Sequence, residues 1–146
     1  MDVNYKSYLQ GNYINSLFFK DTTPSEIVSI TMKLKNKSSS GLDELSTALI
    51  KNVITLISQP LSEIINLSLT KGIVPDKMKI AKVIPLFKSG GNNIYKNFRP
   101  VSILPSFSKI LEKVVYNRLL DYLTKFNILN KNQYGFRQNQ IGRAHV

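Results

Sequence analysis

Hydrophobic positions recur at helical spacing through most of the chain and crowd into strand-like runs in one place only. Ile27, Ile30, Thr31 and Leu34 follow Thr23-Pro24-Ser25-Glu26, which has the form of a capping box with proline at the first helical position. Together they predict an amphipathic helix over 24–35. The polar stretch from Asn36 to Gly41 stops it and reads as a loop. Leu45, Leu49, Val53, Ile54 and Ile57 then carry a helical period from Ser46, and Leu61, Ile64, Ile65, Ser68 and Leu69 carry another to Lys71. Pro60 lies between them and predicts a break or kink, so two helices on a common core are expected. Gly72 is placed to end the second, and Pro75 to Lys79 suits a turn or a single helical turn. Residues 1–20 hold Tyr5, Tyr8, Tyr13, Phe18 and Phe19 without a clear period, and read as an irregular lead-in.

The period changes near Ile80. Ile80, Val83, Ile84, Leu86 and Phe87 crowd around Pro85, a pattern that suits an edge strand. Ser89-Gly90-Gly91-Asn92-Asn93 can supply the positive φ values of a turn, and Phe98–Leu104 is the return arm. A hairpin over Lys82–Leu104 follows. Lys82 and Lys88 share one face of it if no bulge intervenes, and Arg99 stands on the other arm. Beyond it, Ser106 is a candidate N-cap, and Phe107, Ile110, Leu111, Val114, Val115, Arg118, Leu119, Tyr122, Leu123 and Phe126 predict the longest helix, over 106–126, ending near Asn127.

Charge sharpens this picture. The chain has 146 residues, enough for one domain with a real core, and carries 20 Lys and Arg against 9 Asp and Glu, a net charge of +11. Such an excess favours a polyanionic partner, above all nucleic acid, because neutralising phosphates releases counterions. An anionic membrane surface fits less well, since no stretch is a long Lys-rich amphipathic helix with an aromatic face. No apolar run approaches the roughly 20 residues that span a bilayer, and the N-terminal stretch has no secretory apolar region. There is no cysteine, which excludes disulfides and thiolate metal sites and fits an intracellular protein.

Most enzyme chemistries lack their residues. Clustered Cys, His and carboxylates for zinc or iron are missing, as is a P-loop. The single histidine, His145, lies in the terminal hexapeptide Ile141–Val146, IGRAHV, whose simplest back-translation matches a common short-read sequencing adapter. We expect residues 141–146 to derive from that adapter, so His145 is given no role. The acidic residues are scattered, and Asp43-Glu44 form no pair on any regular element. No catalytic centre is expected in this chain. Phosphate handling is what the residues offer: Lys82, Lys88 and Arg99 could neutralise a triphosphate, Arg99 with a planar fork. On charge alone, solvated surface residues explain them as well.

At AKVIPLFKSGGNNIYKNFRPVSILPSFSKILEKVVYNRLL, followed by NQYGFR, the chain resembles the fingers region of a reverse transcriptase from a non-LTR retrotransposon of the LINE or jockey-like kind. The upstream segments LKNKSSSGLDELSTALIKNV and PLSEIINLSLTKGIVPDKMK match the same family in the same order. The resemblance covers roughly residues 14–140. It implies an α+β fold, an α-rich fingers subdomain with a small antiparallel hairpin and with the palm missing. Residues 21–140 would then be a partial reverse transcriptase domain.

The resemblance also assigns roles by position. Lys82, Lys88 and Arg99 match basic residues that close on the incoming dNTP, and Gln133, Phe136 and Arg137 match the QxGFR motif that shapes the nucleotide pocket. Ser39, Ser40 and Gly41 match a loop that contacts template RNA, and Pro100, Val101 and Ile103 match the segment near the templating base. Plainer readings compete: Val101 and Phe136 as core residues, and Asp43 as a helix cap. The implied partners are an RNA template, a DNA primer, dNTP, and the palm, thumb and endonuclease domains of a longer parent, with no membrane partner and a nuclear location if the chain acts as in the family. The aspartate blocks that hold two Mg²⁺ in a complete enzyme would lie beyond Arg137. The chain is therefore expected to bind template and nucleotide without carrying out polymerisation. The alternative is a non-catalytic, basic RNA-binding module derived from a mobile element.

Overall fold

A computed structural model describes residues 16–129, so Gln133, Phe136 and Arg137, the terminal hexapeptide and most of the lead-in lie outside the described residues. Four helices and one hairpin follow in the order α1 (Pro24–Lys33), α2 (Thr47–Lys71), α3 (Asp76–Lys79), β1 (Lys82–Phe87), a 3₁₀ turn (Tyr95–Asn97), β2 (Phe98–Ile103) and α4 (Ser106–Lys125). The architecture is mixed, with the helical part carrying the core and the hairpin standing apart from it.

The core is aliphatic. Ile27 and Ile30 of α1, Ile50, Ile54, Leu61 and Ile65 of α2, and Ile110, Leu111 and Val114 of α4 form one buried cluster. Each such side chain contributes about 1.5–3 kcal/mol by leaving water. The buried stripe of α2 also contains Ser58, Ser62 and Ser68. Their hydroxyls return to the carbonyls of Thr55, Gln59 and Ile64, so small polar residues enter the core with their hydrogen bonds already made.

Pro60 does not divide the second helical stretch. The expected pair of helices is one helix of 25 residues running through it. Pro60 and Leu56 are both exposed, so the Leu56 carbonyl that loses its helical donor faces solvent and can be hydrated. The missing bond and ring clash cost about 3 kcal/mol. Burial of Ile50 and Ile54 before the proline, and of Leu61 and Ile65 after it, offsets that cost. By length and composition α2 could also cross a bilayer, contrary to the sequence reading, but its buried stripe makes it the central helix of this core.

Helix ends follow the expected chemistry in part. Thr23 caps α1 by accepting from the Glu26 amide at 3.2 Å, with Pro24 in the first turn. The reciprocal half of the box does not form, because the Glu26 side chain is engaged by Arg118 and Thr22. Ser46, and not Asp43, caps α2 by accepting from the Leu49 amide; Asp43 accepts instead from the Leu45 amide two residues on. Gly72 ends α2 at φ 66°. At α4 the expected cap is again displaced: Ser106 is the first helical residue and is fully buried. Its hydroxyl reaches the Leu45 carbonyl at 3.2 Å and the Thr47 hydroxyl at 3.3 Å, tying the start of α4 to the start of α2. Asn127, at φ 52°, closes α4, with the Asn127 amide donating to the Thr124 carbonyl and the Ile128 amide to that of Leu123.

The hairpin is antiparallel, with Lys82 opposite Ile103 and Phe87 opposite Phe98 at its two ends. Between them Pro85 lies directly across from Pro100. The Lys88 amide donates to the Asn97 carbonyl at 2.8 Å. That bond makes alternate pairs back from it, Leu86 with Arg99 and Ile84 with Val101, the hydrogen-bonded ones. The two prolines thus fall on a non-bonded pair, where the main-chain groups point outward. The ladder keeps all its bonds, and each outer edge lacks a donor at its middle.

Candidate nucleotide and nucleic-acid interface

Directly opposed residues of an antiparallel pair project to the same side, and neighbours along a strand alternate. The observed register therefore sorts the hairpin into two faces. On one face lie Lys82, Ile84 and Leu86 of β1 with Arg99, Val101 and Ile103 of β2, and the 88–97 backbone bond continues Lys88 onto it. On the other lie Val83, Pro85 and Phe87 with Phe98, Pro100 and Ser102. The even spacing of Lys82 and Lys88 holds, and Arg99 joins them across the ladder. Pro100 does not: it is on the far face from Val101 and Ile103.

Lys82, Lys88 and Arg99 are exposed, and none is paired with an acid among the described residues. They surround a strip of partly exposed aliphatic side chains, Ile84, Leu86 and Val101. Cations beside an apolar floor suit a phosphate chain, because excluding water from one side strengthens each charged hydrogen bond.

The loop between α1 and α2 meets the hairpin at its base. Gly41 is buried, and a methyl group there would fall 2.8 Å from the Pro105 nitrogen and 3.1 Å from the Leu104 carbonyl carbon. Only glycine allows so close an approach between two backbones. Ser39, exposed, and Ser40, half-buried, directly precede that contact in sequence. Gly41 itself is occupied by packing.

Sequence reading did not foresee the strongest polar contact. Arg118 of α4 holds Glu26 of α1 with both terminal nitrogens at 2.8 Å. Its Nε donates to the Lys20 carbonyl at 2.7 Å, and a terminal nitrogen reaches the Asp21 carbonyl at 3.2 Å. The chain ahead of α1 is also held by Asn66, which exchanges two bonds with the Thr22 backbone. Arg118 lowers the Glu26 pKa through that hydrogen bond, with the Thr22 hydroxyl and the charges of Arg118 and Lys20 adding to it and partial burial opposing. Glu26 correspondingly raises that of Arg118.

A metal pair for phosphoryl transfer needs converging carboxylates. Among the described residues no three His, Cys, Asp or Glu side chains converge.

No family model matches the chain. It is 34% identical over 124 residues to the probable RNA-directed DNA polymerase from transposon BS of Drosophila melanogaster, covering 84% of this chain. It is 32% identical over 133 residues to the RNA-directed DNA polymerase from mobile element jockey of the same species, covering 90% of the chain. Against the jockey polymerase of Drosophila funebris it is 32% identical over 130 residues, 88% of the chain. In each case the match takes in 14% of the relative's length. The chain is thus a homologue of one segment of the RNA-directed DNA polymerases of jockey-like non-LTR retrotransposons.

Proposed function

We propose that the chain is the fingers part of a retrotransposon RNA-directed DNA polymerase, holding template RNA and the incoming dNTP without carrying out the transfer itself. The observation that supports this best is the convergence of Lys82, Lys88 and Arg99 on one hairpin face around Ile84, Leu86 and Val101. The lysines meet the triphosphate as point charges and Arg99 as a two-pronged donor. The aliphatic strip keeps water from the buried side. Ser39 and Ser40, just ahead of the Gly41 contact with Leu104 and Pro105, offer hydroxyls to the template backbone.

Magnesium would supply charge neutralisation in the parent reaction, and no step through it is assigned to the described residues. In a primer-extension assay with RNA template, DNA primer, dNTPs and Mg²⁺, the chain should incorporate nothing above background. Measurable incorporation would sink the reading of a binding part alone. The same face also supports a module that binds RNA only. Competition decides: dNTP should displace part of the RNA signal under the first reading and none under the second.

A further inference from the structure

The hairpin face opposite the cations carries a cleft of about 330 Å³, lined by Pro85 and Phe98 of the strands and by Asn92, Asn93 and Tyr95 of the connecting loop. We propose that this cleft seats one unstacked base of a single-stranded nucleic acid. The proposal rests on the reading of the chain as a nucleic-acid-binding part, and it names a contact on a different face.

The cleft's chemistry is that of a flat heteroaromatic ring. Pro85 and Phe98 form an apolar floor, and Phe98 is braced by an edge-on contact with Phe87, the ring centres 5.4 Å apart. Tyr95 is 95% exposed, so both of its ring faces are open for stacking while its backbone is fixed by the 3₁₀ turn. Asn92 and Asn93 bring amides, each able both to donate and to accept at a base edge. The volume sits at the small end of ligand clefts, which run from about 300 to 1,000 Å³. That suits one ring better than a whole nucleotide.

The loop is built to hold this shape. Its Asn97 side-chain amide donates to the Gly91 carbonyl at 2.8 Å, and Gly90, at φ 91°, leaves room where a methyl group would strike the Asn97 side chain at 2.6 Å. Charge complementarity points to the occupant. Lys96, exposed and next in sequence to Tyr95 at the cleft, can meet a phosphate beside a seated base. An uncharged aromatic ligand would leave that charge without use.

The test compares two probes of equal length and charge on the full chain, an oligouridylate and an abasic phosphodiester, by fluorescence anisotropy. Stacking predicts that the oligouridylate binds about tenfold more tightly. Tyr95→Ala should bring it down to the abasic level, and Tyr95→Phe should restore it. Because Tyr95 is exposed, neither change threatens folding. Lys88→Ala with Arg99→Ala should weaken both probes alike. Equal affinity of the two probes, or an oligouridylate advantage that survives Tyr95→Ala, overturns the base site while leaving the basic face standing. Failure of both probes to bind at low salt overturns both.

Discussion

Arg118 and Glu26 meet through two parallel 2.8 Å contacts, and in doing so join the last helix to the first across 92 positions of sequence. The same guanidinium holds the Lys20 and Asp21 carbonyls, so one side chain fixes three segments. Arg118→Met should therefore destabilise the chain by about 1–3 kcal/mol, the range for hydrogen bonds to a charged group. Urea unfolding monitored by circular dichroism measures it. A change within about 0.5 kcal/mol, as for an ordinary surface substitution, would show that the clamp adds little.

The pair also sets an acid limb. The folded-state pKa of Glu26 lies below its ordinary value of 4.5, so the unfolded chain takes up the proton first as pH falls. The stabilisation is complete above the ordinary carboxylate range and is lost as pH drops through the depressed folded value. Melting temperature should fall over that window in the parent chain, and the fall should be shallower in Glu26→Gln. Identical pH profiles for the two would remove Glu26 from the account.

Neither partner of this clamp was legible from the sequence as such. Glu26 read as the far end of a capping box and Arg118 as one more position of a helical repeat, because an ion pair between distant residues leaves no local signature. The caps misassigned to Asp43 and Ser106 have a related cause. Several Ser and Asp residues near a helix start satisfy the local rule equally, and tertiary packing chooses among them. By contrast the hairpin was plain in outline, since proline, glycine and asparagine act on the backbone where they stand. Its two faces followed from strand alternation, but that Pro100 parts from Val101 and Ile103 needed the register.

The break expected at Pro60 does not form, because that expectation weighed a local penalty without the burial on both sides of it. That suggests a gain. Pro60→Ala should restore a helical bond at an exposed position and stabilise the chain by about 1–3 kcal/mol, less whatever flexibility the unfolded chain recovers. A drop in stability in thermal melts would mean that the proline shapes α2 in a way that its neighbours require.

Gly41 tests the junction of loop and hairpin. Gly41→Ala places a methyl group 2.8 Å from the Pro105 nitrogen, against backbone that cannot turn aside like a side chain. Destabilisation of about 1–3 kcal/mol is expected, as for other overpacked sites. Hydrogen exchange should quicken at the start of α4, where Ser106 is held. Unchanged exchange there would separate the loop from the helix.

For the basic face, Lys88→Ala combined with Arg99→Ala should leave the melting temperature nearly unchanged, as both residues are exposed. Single-stranded RNA binding should weaken, and the dependence of log K on log salt should become shallower by about 0.7 for each phosphate that the chain no longer neutralises. An unaltered slope would place the phosphate-binding cations elsewhere.

The facing prolines of the hairpin have a consequence for how anything can be held there. Strand-pairing ligands bind by extending a sheet along its margin, and Pro85 and Pro100 interrupt both margins at their centres. A ribbon barred on its sides is approached only from above or below. On the function proposed above, recognition there passes through side chains, and a polymer laid across the ribbon is not zipped into the protein's own backbone.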